Sequence, residues 1–403
     1  MSIFSKYYYN DLNTFFHQII PSDCSFIKIG NSEIKKNYDY ILLSNSLAYV
    51  NDAQLFIAKL KQNCHSRTRV IVVYYNFLWK PLLYLASLMG LRKKEKLEPN
   101  WFSSDDINNI FSFEGFEEVK RGKRLLLPLN LGFVSTFINR FLAQLPIINF
   151  FCLTTYQVFK IKGVPKPFSV SIIIPARNEV GNIKGIMDKI PKLSKKSEII
   201  FVEGNSKDAT FSAIREEINN YQNAFLFKQK GKGKGDAVRL GMKKARNKIL
   251  MILDADLTVD PKDLKKFYRA LSDGICEFAN GSRLVYPMER QAMRSFNYLG
   301  NKLFSLMFTF MLDQKIKDTL CGTKALFRED YLKIEKNRKS FGNFDPFGDF
   351  DLLFGASKLN LKIMDIPIRY KERTYGSTNI SRFRHALLLT RMVIFAANKI
   401  KFN

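Results

Sequence analysis

Short apolar runs alternate with polar, glycine-containing stretches along the second half of the chain. Three of these runs are followed at once by acidic or turn residues, and they are Ser169–Pro175, Glu198–Val202 and Lys248–Leu253. Their length and their β-branched content are typical of buried strands, and helical patterns lie between them. Strands that alternate with helices favour an α/β fold with a mostly parallel sheet, which binds ligands beyond the carboxyl ends of its strands. We therefore expect the polar residues after these strands to form one site.

The last of the three runs is predicted to be a strand that ends in two carboxylates, Asp254 and Asp256. Residues i and i+2 of a strand project to the same face, and neighbouring carboxylates repel unless a cation lies between them. A divalent cation on a diphosphate fits, because Mg²⁺ takes one or two carboxylates plus phosphate oxygens. Taken alone, such a pair is more often a solvated acidic loop. The motifs that accompany it favour the metal site.

A loop rich in glycine and lysine, Lys230–Gly235, is the fourth candidate for this site. Its glycines let the backbone approach a ligand closely, and Lys232 and Lys234 supply positive charge for phosphates. A mobile basic surface loop is the alternative interpretation of the same residues.

Eight ordered strings between residues 168 and 380 resemble an inverting family 2 glycosyltransferase of the GT-A fold. The branch is close to the dolichyl-phosphate mannose and glucose synthases and their bacterial polyprenyl-phosphate relatives. The strings are IIIPARNE, VEGNSKDAT, KGKGDAVRLG, DADL, GSR, DTLCGTKALFR, FGDFDLL and ERTYGSTN.

The resemblance implies a nucleotide-sugar donor, with UDP and GDP both open. Pro175, Ala176, Arg177 and Glu179 would flank the nucleoside, and Glu203 would contact the base or the ribose. It also implies that Asp254 and Asp256 hold Mg²⁺ or Mn²⁺ on the donor diphosphate. Three further residues match family positions near the donor or acceptor phosphates: Arg283, Arg373 and Ser377.

The transfer reaction itself sets requirements on the residues of the site. Breaking a sugar–diphosphate bond develops negative charge on the leaving group, which a metal and Lys or Arg stabilise. A single inverting displacement needs no enzyme nucleophile, but a hydroxyl acceptor needs a general base. The candidate bases are Asp318, Asp349 and Asp351. A phosphate acceptor is already anionic, so its base is optional.

Each candidate base has a structural alternative. Asp349 is also typical of an acid in the first turn of a helix, and Asp318 of a turn cap. Thr323 stands where some polyprenyl-phosphate enzymes carry a second acid, which weakens the assignment of a base to that loop.

Net charge and cysteine content limit the classes of binding partner and the cellular compartment that fit this chain. The 403-residue chain carries a formal net charge of +27, which indicates an anionic partner such as a nucleotide or an acidic membrane surface. Nucleic acid is disfavoured, because no zinc-finger spacing, RNP string or recognition helix is present. Five scattered cysteines without a C-x-x-C pair favour a reduced compartment. We expect a cytoplasmic protein that lies peripherally on the inner face of the cell membrane.

Membrane contact is expected at two places. Leu303–Leu312 is apolar and free of charge, but it is far shorter than the ~20 residues of a spanning helix. Phe383–Phe402 is apolar, aromatic and basic, which is typical of an interfacial helix, although an ordinary docked helix has the same pattern. A third apolar segment, Phe141–Phe159, is interpreted as a helix end followed by a strand.

Within the first 162 residues, the order of predicted strands and helices over about residues 35–162 resembles the C-terminal half of a class I S-adenosylmethionine methyltransferase. Predicted strands lie at residues 39–44, 69–76, 116–127 and 152–161, with a capped helix starting at Ser103. Only one glycine, Gly30, precedes these strands, so we expect a degenerate domain that no longer binds S-adenosylmethionine. A retained methyltransferase is the alternative. Residues 163–168 are the expected linker, 169–380 the glycosyltransferase domain and 381–403 an amphipathic helix. A non-catalytic assembly subunit is the competing hypothesis for the whole chain.

Overall fold

The computed structural model describes residues 3–29, 37–90, 100–286, 295–338, 349–373, 375 and 390–402. The chain forms two compact units: Met1–Gly163 with Asn398–Asn403, and Val164–Ala397. The first change of unit therefore falls at the beginning of the expected linker, 163–168. The second falls inside the expected C-terminal helix, of which residues 381–389 lie outside the described part.

The first unit is an α/β sandwich. Its helices are α1 (Ile3–Ile19), α2 (Ala53–Lys61), α3 (Lys80–Leu88), α4 (Ser104–Phe113), α5 (Phe133–Arg140) and α6 (Pro146–Asn149). Its strands are β1 (Phe26–Ile29), β2 (Tyr40–Ser44), β3 (Arg69–Tyr75), β4 (Phe116–Arg124) and β5 (Thr154–Ile161). A capping box in which Ser103 and Asp106 bond each other's backbone N–H starts α4, as its sequence predicts.

The five strands follow the order β1-β2-β3-β5-β4. The first three are parallel, and β5 runs antiparallel to both β3 and β4. Residues alternate along β3 between two cores, with Ile71 and Val73 on one face and Val70 and Val72 on the other. Leu83 of α3 packs in the first core, so α3 lies on the opposite face of the sheet from α2 and α4.

The second unit begins with a regular succession of strands and helices. Its strands are β6 (Val170–Ala176), β7 (Ser197–Glu203), β8 (Ala224–Lys228), β9 (Ile249–Ile252), β10 (Phe278–Ser282), β11 (Lys324–Phe327) and β12 (Ile363–Pro367). Its helices are α7 (Val180–Ile183), α8 (Ile186–Lys189), α9 (Thr210–Glu217), α10 (Lys234–Lys244), α11 (Leu264–Ser272), α12 (Ser295–Leu312), α13 (Arg328–Lys336) and α14 (Asp349–Lys358). A short helix at residues 390–396 runs into a π-helical turn at Ala397–Lys401.

The seven-stranded sheet has the order β12-β10-β11-β9-β6-β7-β8. All neighbours are parallel except β11, which runs antiparallel to β9 and β10. The predicted fold class, an α/β fold with a mostly parallel sheet, is confirmed. Apolar residues from both the sheet and its helices, such as Ile172, Met251 and Phe267, fill the core.

The carboxyl end of β6 was predicted wrongly. The run starting at Ser169 was expected to break at Pro175, but β6 continues through Pro175 to Ala176, paired with β7. Pairing with β9 ends at Ile173, whose carbonyl accepts a hydrogen bond from Leu253 N at 3.0 Å. The amide position of residue 175 lies on that same edge of β6, where no neighbouring strand requires a donor, so proline is tolerated.

The apolar run Leu303–Leu312 forms the second half of α12. Phe308, Met311 and Leu312 are buried in the unit, whereas Leu303 and Leu306 are exposed. Among the helices that the structure describes, none is both long enough and apolar enough to cross a membrane.

Candidate active site

Asp254 and Asp256 lie just past the carboxyl end of β9. The strand ends at Ile252, earlier than predicted, and the two acids belong to a turn that Leu257 closes with a φ of 53°. Asp256 Oδ1 accepts hydrogen bonds from Thr258 N at 3.1 Å and from Thr258 Oγ1 at 2.8 Å. The turn, and not the alternation of a strand, therefore orients the two carboxylates.

A lysine from the glycine-rich loop contacts the first carboxylate. Lys234 Nζ lies 2.7 Å from Asp254 Oδ1. Lys234 is the first residue of α10 and follows Gly233, whose φ is 87°. Its neighbour Lys232 is exposed to solvent. The loop thus brings one of its two candidate lysines to the carboxylate pair.

An arginine from the other end of the unit contacts the second carboxylate. Arg373 NH2 lies 2.5 Å from Asp256 Oδ2, and its NH1 lies 3.5 Å from Glu179 Oε1. After β12 the chain runs back along the turn that follows Asp256: Lys371 N donates to Thr258 O at 2.9 Å. This antiparallel segment brings Arg373 to the site although it lies 117 residues away in the sequence.

Glu179 is held in the loop after β6. The side chain is buried, its Oε2 accepts a hydrogen bond from Asn182 Nδ2 at 2.6 Å, and its backbone N donates to Thr210 Oγ1 at 2.9 Å. Burial raises the pKa of Glu179, and the Asn182 hydrogen bond and the charge of Arg373 oppose that rise. The loop therefore presents an acidic group to the same arginine that Asp256 contacts.

The ends of β6 and β7 form the other side of the site. Ala176 is paired with Glu203, and Gly204 N donates to Ala176 O at 2.8 Å. Glu203 is almost completely buried, and its Oε1 accepts a 2.5 Å hydrogen bond from Ser206 N. Pro175 is partly exposed beside Ala176, and Arg177 is exposed just beyond it. The four residues surround the edge where a nucleoside is expected.

Asp318 and Arg283 form a buried ion pair. Arg283 Nε donates to Asp318 Oδ2 at 2.7 Å and its NH2 to Oδ1 at 2.9 Å. Asp318 also accepts from the backbone N of Arg283 and Leu320 and from Asn301 Nδ2. Burial raises the pKa of Asp318, but the Arg283 charge and these hydrogen bonds lower it further, to about 2.

Such a carboxylate is a poor proton acceptor, because both of its oxygens already accept hydrogen bonds and a proton on either one would displace a donor. The arrangement does not suit the expected role of Asp318 as a general base. It suits a group that positions Arg283, whose guanidinium also lies over the ring of Tyr370, 5.0 Å from its centre.

The other candidate residues are less informative. Asp351 is buried in α14 and forms salt bridges with Arg338 at 3.4 Å and with Arg239 at 3.9 Å. Asp349 is the first residue of α14, but its side chain is outside the described part of the structure, and so is Ser377.

The carboxylate pair suits a divalent cation that also binds phosphate. Among the described residues, no group of three or more His, Cys, Asp or Glu side chains could hold a metal. Two carboxylates are nevertheless sufficient protein ligands for Mg²⁺ when a diphosphate supplies further oxygen ligands. A Cβ at Gly322 would clash with Lys234 Nζ and with the Asp254 carboxylate, so this glycine leaves the space that the site needs.

Two glycines of the site were missed from the sequence. A Cβ at Gly322 would enter the carboxylate pocket, and a Cβ at Gly181, two residues after Glu179, would clash with the ring of Tyr375. The sequence signal for both is a glycine close to a candidate site residue, and this signal is too common to identify a site. Thr323, beside Gly322, has a buried hydroxyl without a hydrogen-bond partner among the described residues.

Comparison with known proteins shows which family this chain resembles. The model of the family described as "Glycosyl transferase family 2" matches residues 171–334. The dolichyl-phosphate beta-glucosyltransferase of Drosophila melanogaster is 30% identical over 229 residues, which cover 50% of this chain and 67% of that protein. A protein of the same description from Trichomonas vaginalis is 28% identical and covers 67% of this chain and 92% of its own length.

A solved structure of glucosyl-3-phosphoglycerate synthase from Mycobacterium tuberculosis, in complex with Mn²⁺, UDP and glucosyl-3-phosphoglycerate, is also similar. It is 16% identical, with a TM-score of 0.43, and the match covers 58% of this chain and 80% of that one. None of these matches supports the predicted methyltransferase-like fold of the first unit, which stays a prediction.

Proposed function

The chain belongs to glycosyl transferase family 2 and is a glycosyltransferase, and from this premise we propose that it transfers a sugar from a nucleotide diphosphate to a lipid phosphate. The transfer inverts the anomeric centre and depends on Mg²⁺ or Mn²⁺. Relatives named dolichyl-phosphate glucosyltransferases and a dolichol-phosphate mannosyltransferase support a lipid-phosphate acceptor.

The observation that carries the proposal is the pairing of each carboxylate after β9 with its own cation. Lys234 contacts Asp254 and Arg373 contacts Asp256, at 2.7 Å and 2.5 Å. Two carboxylates and two cationic side chains in one pocket suit a ligand that carries both a metal and phosphates. The carboxylates can then bind the metal, and the cations can bind the phosphates. A metal on Asp254 and Asp256 would neutralise charge on the leaving diphosphate.

The residues of the chain then have separate tasks. Lys234 and Arg373, released from the carboxylates, donate to phosphate oxygens, and Arg283 is oriented by Asp318 toward the same region. Glu203 and the loop Pro175–Arg177 hold the nucleoside. Stabilisation of developing charge by fixed cations in a partly buried site is the main contribution to the rate.

A lipid-phosphate acceptor removes the need for a protein base. The phosphate is already anionic near neutral pH, so it attacks the anomeric carbon without giving up a proton. Asp318 is tied to Arg283, and Asp351 is tied to Arg239 and Arg338, which supports a reaction without either of them as base. Asp349 remains a candidate base for a hydroxyl acceptor, such as a glycan.

The first test is a thermal-shift series on the full chain. UDP- and GDP-sugars are added with and without Mn²⁺, and S-adenosylmethionine is added separately. A ligand that binds the folded state raises the unfolding temperature by mass action. We expect a metal-dependent rise with one class of nucleotide sugar, which also names the donor base. A rise with S-adenosylmethionine alone would contradict the assignment of the donor site and support a retained methyltransferase.

The second test changes one carboxylate. Asp256→Asn keeps the shape of the side chain but removes the charge, and we expect turnover to polyprenyl phosphate to fall by about 10²-fold or more. Asp273→Asn is the matched control, because Asp273 lies at the end of α11 with Arg269 as its surface partner. Near-normal, equally metal-dependent transfer by Asp256→Asn would refute the metal role.

The proposed location is the cytoplasmic side of the membrane, on its inner face. It follows from the lipid acceptor, the nucleotide-sugar donor and the charge of +27.

A further inference from the structure

A surface of the first unit exposes large apolar side chains that its own core does not use. It is formed by α5, by the 3₁₀ turn Leu142–Gln144 and by α6. Phe133 and Ile147 are each 82% exposed, and Phe137 and Phe141 are also exposed. Contiguous exposed apolar side chains of this size mark an interaction site more often than an ordinary protein surface.

A second helix contributes to the same surface. Leu82, Leu85 and Leu88 of α3 lie on one side of the helix, and all three are about half exposed. The opposite side of α3 carries Leu83, which is buried in the core. The helix therefore packs on the sheet with one face and presents leucines to solvent with the other.

Hydrogen bonds join the two parts of this surface. Trp79, directly before α3, donates from Nε1 to Phe151 O at 2.8 Å. Asn76 Nδ2 donates to Phe150 O at 3.0 Å and to Cys152 O at 2.9 Å. Both Phe150 and Phe151, directly after α6, are exposed. We call the surface that α3, α5, α6 and residues 150–151 contribute the apolar face.

The chain segments that form the apolar face carry charges of one sign. The sequence contains no Asp or Glu between residues 53 and 94, nor between residues 119 and 178. The cations lie against aromatic rings of the face: Lys123 Nζ is 4.5 Å from the centre of the Phe150 ring, and the Arg140 guanidinium is 5.6 Å from that of Phe141. Apolar side chains rimmed by cations that lie along aromatic rings match the boundary between acyl chains and anionic headgroups.

We propose that the apolar face docks the first unit on an anionic lipid bilayer, with α3, α5 and α6 lying in the interface. The side chains of Phe133, Phe137 and Ile147 would enter the acyl region, and Lys123 and Arg140 would contact the headgroups. The expected segment Leu303–Leu312 belongs to the second unit, whereas Phe402, from the expected segment Phe383–Phe402, contacts the apolar face by stacking on Phe141. The proposal does not depend on the transfer reaction, since it requires only a membrane surface.

The test is vesicle flotation with the full chain. The vesicles contain phosphatidylcholine, alone or with about one third phosphatidylglycerol. We expect binding to the anionic vesicles that weakens with salt. The double substitution Phe133→Asp with Ile147→Asp should weaken it by about tenfold or more, because two inserted side chains become charged. Phe113→Asp is the matched control: Phe113 is 79% exposed but lies on α4, on the other face of the sheet, and this variant should bind normally.

A second readout uses the unsubstituted protein, so it does not depend on whether a variant folds. The chain has two tryptophans, Trp79 and Trp101, and Trp79 lies at the start of α3. Lipids brominated near the headgroup end of the acyl chain should quench the fluorescence. Absence of quenching, or equal binding by the double variant and by Phe113→Asp, would overturn the proposal. So would a dimer without vesicles that the double substitution converts to a monomer, because the face would then be a self-association surface.

Discussion

Replacement of Asp318 by asparagine tests how the buried ion pair with Arg283 stabilises the second unit. The side chain of Asp318 is 0% exposed and that of Arg283 11% exposed. Asparagine keeps the shape but removes the charge, and its amide group turns one accepting position into a donor. Three of the donors that Asp318 now satisfies belong to Arg283 itself, namely its backbone N, Nε and NH2.

Two estimates bound the loss of stability. A pKa lowered from 3.8 to about 2 means that folding favours the charged form by about 2 kcal/mol. Removal of one partner of a buried pair costs about 3–5 kcal/mol, since the other charge stays buried. We therefore expect Asp318→Asn to lower the free energy of unfolding by about 2–5 kcal/mol at neutral pH. The comparable change on the surface, Asp273→Asn, should cost less than about 1 kcal/mol.

The contribution of Asp318 to the free energy of unfolding decreases as the pH falls. The pKa of Asp318 is lower in the folded protein, so its contribution is complete above about pH 4 and is lost as the pH falls toward 2. The gap in stability between the unsubstituted protein and Asp318→Asn should therefore narrow by about 1 kcal/mol between pH 7 and pH 3.

Cysteine labelling in urea measures this unit separately. Cys276 and Cys321 are buried in the second unit, and the other three cysteines belong to the first. Mass spectrometry after a short pulse of alkylating reagent then reports when Cys276 becomes accessible. Asp318→Asn should expose it at a clearly lower urea concentration. Exposure at the same concentration as in the unsubstituted protein would refute the calculation.

Two further predictions concern the site itself. Gly322→Ala should lower transfer by about 10-fold or more without unfolding the unit, because its Cβ meets Lys234 Nζ and the Asp254 carboxylate, whereas Gly300→Ala, with open space around it, should transfer normally. Equal activity of these two variants in a radiolabelled transfer assay would contradict the crowding argument. Glu203→Gln should weaken donor binding by about 10-fold in calorimetry, because a buried acid that accepts from Ser206 N loses its charge. Unchanged affinity would remove Glu203 from the donor site.

The sequence predicted three strands of the second unit, β6, β7 and β9, because their apolar periodicity is a local property. The run that became β9 and the turn with Asp254 are continuous in the chain, so the candidate carboxylates were accessible to sequence reasoning. The strand ends were less accurate: β6 passes through Pro175 only because β9 has already left that edge. That depends on a neighbour 70–80 residues away, which no local pattern contains.

The partners of the candidate residues were not predictable from the sequence. Arg373 reaches Asp256 across 117 residues, and Arg283 reaches Asp318 across 35. The motifs identified these residues but not their pairing, and the pairing of Asp318 with Arg283 favours a positioning role for Asp318 over that of a base. The apolar face was missed for a related reason, since the apolar segment at residues 141–159 gives no indication of which side chains the core leaves uncovered.

The return of residues Asn398–Asn403 to the first unit has a consequence for how the protein is made. Arg140 Nε donates to Phe402 O at 2.5 Å, and the rings of Phe141 and Phe402 stack with their centres 5.7 Å apart. Phe402 leaves the ribosome 262 residues after Arg140, which at about 5–20 residues per second is a delay of roughly 13–50 s. During that time Phe141, at the end of α5, lacks the ring of Phe402 against which it later stacks, so its side chain is more available to a chaperone.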